Sequence, residues 1–250
     1  MFKAKTDNPK LLRDSIDTIS QLIDDVIIKI TKDGIEILAA DRAIVSVVDY
    51  KLKSSAFQEF VCEEEKEIGI NLISFLTFLK RVSPSDKMTL QLKDDDNKLE
   101  IILEGNSKRK FAVPLIEVSK REIPDINKLE FSASAEIVSR VLEQGIIDAD
   151  LVADSVIFNV SEEGLKMLAK GNGSKTELFL EKGNDALLSI NAKENVDSRY
   201  SLEYLKKMIK GSRISDKVII SIGKDFPMKI EFLGQEASLQ MILAPRVSDD

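Results

Sequence analysis

Val26–Ala40 reads VIIKITKDGIEILAA, and 130 residues later Val156–Lys170 reads VIFNVSEEGLKMLAK, with Val26 matching Val156 and Gly34 matching Gly164. Each copy is a β-branched run, a polar turn signal ending in glycine, and a second apolar run, which is the pattern of a strand, a tight turn and a strand. A second pair of segments keeps the same spacing. LISFLTFLKRVSPSDKMTLQL (Leu72–Leu92) reads against LEYLKKMIKGSRISDKVIISI (Leu202–Ile222), and the shared Ser-Asp-Lys places Asp86 130 residues before Asp216. Two separate segments at one offset mark an internal duplication. They predict two homologous domains, residues 1–116 and 129–250, joined by residues 117–128.

Outward from these segments, each half is expected to begin with an amphipathic helix, carried by Leu12, Ile16 and Ile19 in the first and by Ile137, Val138, Val141 and Leu142 in the second. A second helix recurs through Leu72, Phe75, Leu76 and Leu79 and again through Leu202, Leu205 and Ile209. Short runs such as VIIKI, IVSVV, KLEIIL, KVIISI and LQMIL, separated by KDG, SEEG and GNG, read as strands. The fold class is α+β, with two helices and many strands per half. The join, EVSKREIPDINK (Glu117–Lys128), is charged and broken by Pro124, and suits a surface linker.

The chain has 250 residues, 43% of them hydrophobic, and 36 Lys and Arg against 43 Asp and Glu give a net charge of −7. The molecule as a whole repels polyanions, so a nucleic acid would have to meet a local basic patch. Such patches occur on equivalent helices. Lys206, Lys207 and Lys210, with Arg213 just beyond, oppose the apolar stripe of the later helix, and only Glu203, four residues before Lys207, offsets them. The matching helix of the first half ends in Lys80 and Arg81. Lys10 and Arg13 share the first helix with Asp14 and Asp17, and Arg140 lies between Glu136 and Glu143. A dispersed positive surface suits sequence-independent contact with duplex phosphates rather than base reading. With 6% aromatic residues and no Trp, stacking on single strands has little support.

Catalytic chemistry finds few candidates. Histidine is absent, which removes His general bases, Ser-His-Asp and Cys-His nucleophiles and His-ligated metals. Cys62, the one cysteine, precedes Glu63, Glu64 and Glu65, a setting that does not favour a thiolate, and cannot form an intramolecular disulfide. No phosphate-binding Gly-rich motif is present, and Gly171-Asn172-Gly173 reads as a hairpin turn. Asp94-Asp95-Asp96, between MTLQL and KLEIIL, reads as a turn and not as a metal cluster. Neither a cofactor nor a metal is expected, and the chain is not expected to be an enzyme. MFKAKTDNPK lacks the apolar core of a signal peptide, and the mostly apolar Ile68–Leu79 is too short to span a bilayer, so a membrane partner is not expected.

Several stretches, in order along essentially the whole chain, resemble the sliding clamps of the proliferating cell nuclear antigen (PCNA) family. They are MFKAK before a helix, ILAADRAIVSVVDYKL, INLISFLTFLK, Ile123-Pro124, RYSLEYLKKM, DFPMKIEF and LAPRV. The resemblance implies a ring of three two-domain subunits, six pseudo-equivalent domains with helices lining a hole for duplex DNA. Lys10, Arg13, Lys80, Arg81, Arg140, Lys206, Lys207, Lys210 and Arg213 would face that DNA. It implies ring closure by edge strands Lys110–Ile116 and Ser174–Leu180, with Lys110, Phe111, Val113, Ile116, Ser174, Thr176, Leu178 and Leu180 at the subunit interface.

It also implies a client-peptide pocket of Ala40, Ile44, Val45, Ile123, Pro124, Pro227, Ile242, Ala244 and Pro245. The partners implied are double-stranded DNA, a clamp loader ATPase, and a DNA polymerase, flap endonuclease and DNA ligase acting through client peptides. The ring would be a homotrimer, or a heterotrimer with paralogues if this chain is a specialised subunit. The compartment would be the cytoplasm at the nucleoid in a prokaryote and the nucleus in a eukaryote. A carboxylate-metal nuclease is the alternative from another class.

Overall fold

Gly34 and Gly164 close the two matched turns with φ of 147° and 155°, and at both a side chain would collide with the backbone of a neighbouring strand. A Cβ on Gly34 would lie 2.1 Å from the Leu52 carbonyl oxygen, and one on Gly164 the same distance from that of Leu180. Glycine is required at both for the same reason. The computed structural model describes residues 1–93 and 96–246, and there the duplication extends to the whole topology.

The first half runs β1 (Phe2–Thr6), α1 (Pro9–Ile19), β2 (Asp25–Thr31), β3 (Gly34–Ala40), β4 (Ser46–Lys53), β5 (Glu59–Cys62), β6 (Lys66–Asn71), α2 (Leu72–Leu79), β7 (Lys87–Leu92), β8 (Lys98–Glu104) and β9 (Lys108–Pro114). The second runs β10 (Ala133–Val138), α3 (Ser139–Asp150), β11 (Ser155–Ser161), β12 (Gly164–Gly171), β13 (Ser174–Glu181), β14 (Leu187–Ala192), β15 (Val196–Ser201), α4 (Leu202–Met208), β16 (Lys217–Ile222), β17 (Met228–Leu233) and β18 (Ala237–Leu243). In the first half the strands lie side by side as β5-β1-β7-β8-β9 and β4-β3-β2-β6. In the second they lie as β14-β10-β16-β17-β18 and β13-β12-β11-β15. Adding nine to each strand number turns the first pair of orders into the second.

The chain divides into two compact units, Met1–Arg42 with Val48–Glu122 and Gly234–Leu239, and Ala43–Val47 with Ile123–Leu233 and the residues from Gln240 on. In the first unit Phe2, Leu12, Ile16, Ile37, Tyr50, Phe75, Leu79, Leu90 and Ile101 are buried together as the core. Ala135, Leu142, Ile146, Phe158, Tyr200, Leu202, Leu205, Ile220 and Ile230 do the same in the second. Removing this apolar surface from water is what holds each helix pair against its strands. Asn71 starts α2 by accepting the Ser74 amide at 2.9 Å, and Pro9 opens α1, where its missing N–H costs nothing.

Two helix boundaries differ from the expectation. The later helix α4 stops at Met208, with Ile209 and Lys210 in a 3₁₀ turn at Ile209–Arg213. Ile137 and Val138 belong to β10, because Ala133, Ala135 and Ile137 continue a two-residue alternation that turns them inward between β14 and β16. Helix α3 begins at Ser139, whose hydroxyl donates to the Ser215 carbonyl at 2.8 Å, and its buried face is Leu142, Gly145, Ile146 and Ala149. The segment Glu117–Lys128 is irregular apart from a 3₁₀ turn at Ile126–Lys128. Gly171-Asn172-Gly173 is the β12–β13 hairpin turn, with Asn172 and Gly173 at φ of 47° and 81°. Asp94 and Asp95 lie outside the described residues.

Candidate functional site

Three regions carry the residues singled out above. The first is the pair of helices in each unit. Lys80 Nζ lies 3.5 Å from Asp17, linking the end of α2 to α1, and Lys206 Nζ lies 2.9 Å from Asp150, linking α4 to α3. The same surface of each unit therefore carries both helices, and on it much of the positive charge is already answered. Arg13 pairs with Asp14 at 2.9 Å, and Lys207 pairs with Glu203 at 3.0 Å while its ammonium lies 5.3 Å from the Tyr204 ring. Among the described residues, Lys10, Arg81, Arg140 and Lys210 form no ion pair. A surface whose cations are partly neutralised attracts anions only weakly, and salt screens the attraction that remains.

The second region is the strand edges. Among the described residues β9 pairs only with β8 and β13 only with β12, so each offers a row of backbone N–H and C=O groups on its other side. Their counterparts in the repeat, β18 and β4, are engaged. In the first unit the Lys53 amide donates to Glu236 at 2.9 Å, and in the second the Ala244 amide donates to Val45 at 2.9 Å. Side chains tell the same story. Phe78 and Phe111 stack with centroids 5.3 Å apart and stay partly exposed, whereas Met208 and Met241, 130 residues on, are 0% exposed. β9 carries Lys108, Arg109 and Lys110 in a row, and β13 carries Glu177 and Glu181 with Lys175.

Not every predicted edge residue is placed at the edge. β9 ends at Pro114, which cannot extend a ladder, and the Ile116 amide turns back to donate to the Gly69 carbonyl at 3.0 Å. Val113 and Leu180 are buried on the inner faces of their sheets, so there the backbone and not the side chain is available. Lys110 and Ser174 are exposed, while Phe111, Thr176 and Leu178 are half-buried. Phe179, 45% exposed on β13 with Lys166 Nζ 5.4 Å from its ring, was not singled out from sequence. The alternation Thr176-Leu178-Leu180 inward left Phe179 facing out, and that pattern was visible in the sequence.

The third region is where the repeat breaks. From Gly34 to Leu52 is two residues longer than from Gly164 to Leu180, and the extra length forms the loop between β3 and β4 in place of a two-residue turn. Ile44 sits in that loop at φ 55° and 49% exposed, a strained conformation for a β-branched residue and an exposure that hydrophobicity opposes. Val45 is joined to Ala244 by the bond already described, and Pro227 and Pro245 are half-exposed in the same unit, as is Ile123, while Pro124 is exposed. Ala40 falls in the other unit, and Ile242, 6% exposed, is core rather than lining. Leu38, 51% exposed, is an apolar residue on the outward side of β3 that sequence reasoning passed over.

Beyond β9 and β18 the chain repeats once more. The Ile116 amide donates to Gly69 and the Arg246 amide donates to Arg199 at 2.7 Å, both pairs again 130 residues apart. Arg246 also bonds Asp154 at 2.7 Å and holds its carboxyl below the usual carboxylate range. The first part of the linker and the C-terminal segment are thus equivalent straps over β6 and β15.

Among the described residues, no three His, Cys, Asp or Glu side chains are placed to hold a metal ion, and no helix is long and apolar enough to cross a membrane.

A family profile described as "Proliferating cell nuclear antigen, N-terminal domain" matches residues 1–123, and one described as the C-terminal domain matches residues 124–247. The chain is 38% identical to a DNA polymerase sliding clamp of Thermococcus onnurineus and 36% identical to one of Pyrococcus furiosus, each over 99% of both chains. Among solved structures, PCNA from Thermococcus kodakaraensis superposes with a TM-score of 0.91 at 28% identity, over 98% of this chain and 100% of that one. A chain of the PCNA2–PCNA3 complex of Sulfolobus tokodaii superposes with a TM-score of 0.89 at 27% identity, covering 98% and 99%.

Proposed function

Because the chain belongs to the proliferating cell nuclear antigen family, matched along both halves, we infer that it is a DNA polymerase sliding clamp, a processivity factor that encircles duplex DNA and tethers enzymes to it. The observation that carries the reading is the unequal use of equivalent strands. β18 and β4 are engaged within the chain, while β9 and β13, their counterparts, end their sheets. Joining β9 of one copy to β13 of the next is a heterologous contact, and repeated by rotation it closes into a ring. Two copies of β9 placed edge to edge would set Lys110 against a like charge, Lys108 and Arg109 being paired with Glu104 and Asp86, whereas β13 offers Glu181, and Glu177 beside Lys166 and Lys175. Three copies then give six pseudo-equivalent domains with α1 to α4 toward the hole.

DNA is held by topology, so the contacts need only be weak and indifferent to sequence, and a surface whose cations are partly answered by acids provides that. Lys10, Arg81, Arg140 and Lys210 make the first phosphate contacts, with Lys80, Lys206, Lys207, Arg13 and Arg213 around them. The clients are enzymes of replication and repair: a polymerase, a flap endonuclease and a ligase. Each inserts apolar side chains of a short peptide beside Ile44, Val45, Ile123, Pro124, Pro227, Ala244 and Pro245, under a linker that spans residues 117–128. A separate ATPase opens and loads the ring. The chain supplies no chemistry of its own, and works where the chromosome is.

The test is retention on circular DNA. Loaded by its ATPase onto nicked plasmid, the clamp should stay through gel filtration and leave when one restriction cut linearises the circle. Equal loss from circular and linear DNA would contradict encirclement.

A further inference from the structure

Arg109 stands on β9 opposite Leu103 of β8, yet its guanidinium reaches back into the first unit. Nη2 donates to the Asp86 carboxylate, and Nη1 donates to the Arg81 carbonyl at 3.0 Å. The same carboxylate accepts the Ser83 amide at 2.7 Å, and Asp86 is only 4% exposed. It also lies against the β8–β9 turn, where a Cβ on Gly105 would come within 2.3 Å of Asp86 Oδ1. One side chain of the edge strand is thus fastened to the loop between α2 and β7, the loop that carries Lys80 and Arg81.

The second half has no such fastening. Asp86 corresponds to Asp216, which is exposed, and Arg109 corresponds to Leu239, which is 0% exposed. A leucine at this place shows that the fold accepts an apolar side chain there. The ion pair, with Asp86 buried and Arg109 half-buried, is a modest source of stability by comparison, since desolvation of Asp86 offsets much of its attraction, and Arg109 Nε is buried with no hydrogen bond. The pair therefore makes better sense as a means of fixing position. The half that has it is the half whose strand ends a sheet.

We propose that the Asp86–Arg109 bridge is a positioning device for assembly, holding the free strand β9 in shape and register to receive β13 of a second copy of this chain. The proposal rests on the ring reading above. A strand bonded on one side only is free to fray, and ordering it at the moment of association would weaken binding, whereas a strand already held avoids that cost.

The experiment compares the full-length chain with Asp86→Asn and with the double variant Asp86→Leu, Arg109→Leu. Three quantities are measured: the concentration at which the assembly dissociates, hydrogen exchange of the β9 amides below that concentration, and the thermal midpoint. In the double variant the midpoint should be retained, β9 amides should exchange at least about tenfold faster, and dissociation should occur at a concentration at least about tenfold higher. Wild-type exchange and wild-type dissociation in that variant would overturn the proposal. So would a loss of assembly in both variants that follows the fall in midpoint, with no excess exchange in β9. A wild-type chain that never assembles would instead defeat the ring reading, and β9 exchange in the monomer would still decide whether the bridge holds the strand.

Discussion

β9 and β18 hold the same place in the strand order, yet Phe111 of β9 is partly exposed beside Phe78, while Met241 and Met208 at the matching positions are buried. β4 and β13 differ in the same way, the first engaged and the second ending its sheet. A duplicated fold ordinarily repeats its covered and uncovered surfaces along with its core. Where one copy is covered and the other is not, the uncovered copy marks a surface that another molecule completes. The same comparison isolates the β3–β4 loop, which replaces the two-residue turn between β12 and β13 and bears a strained, exposed Ile44.

The largest effect should come from spoiling the uncovered edge. Phe111→Asp puts a carboxylate where the matching Met241 is fully buried, and light scattering should show about a threefold fall in mass, from three chains to one, with the circular dichroism of the fold retained. An unchanged mass would break the comparison at its strongest point. Reversing Lys206, Lys207 and Lys210 to Glu should leave the mass alone and shorten residence on circular DNA by about tenfold or more at ~0.15 M salt. Unaltered residence would remove α4 from the DNA-facing surface.

Smaller effects sharpen the contrast between the loops. Ile44→Asn keeps a residue that tolerates left-handed backbone, so the chain should become more stable by about 1 kcal/mol in denaturant titration while client-peptide affinity falls. A loss of stability would show that Ile44 is held by packing and not strained. The smallest effect concerns Tyr200, whose hydroxyl donates to Phe226 at 2.9 Å and whose pKa burial pushes up to about 12 from 10.0. A raised pKa means stability that is present below pH 10.0 and lost as pH rises toward about 12. Tyr200→Phe should flatten that alkaline loss in a thermal-midpoint profile, and an unchanged slope would assign it elsewhere.

How much of this the sequence discloses depends on whether a feature is local. The duplication, the helix stripes Leu72-Phe75-Leu76-Leu79 and the hairpin at Gly171-Asn172-Gly173 follow from periodicity and turn chemistry within a few residues. The helical assignment of Ile137 and Val138 failed because four apolar residues near a helix start fit both periods, and only pairing with β14 and β16 chose the strand. The Glu203–Lys207 pair is legible from its spacing, but the pairs Lys80–Asp17 and Lys206–Asp150 join different helices and have no local signature. Arg109 and Asp86 were invisible as partners for the same reason, being 23 residues apart on a loop and an edge strand. Ile116, by contrast, could have been read as leaving the edge, since Pro114 precedes it.

The central claim is that the edges left open in one chain are closed by its copies. Light scattering of the purified chain across a wide concentration range tests it most directly. The account predicts a mass of three chains that falls to one only on dilution, and a chain that remains monomeric at every concentration would contradict it.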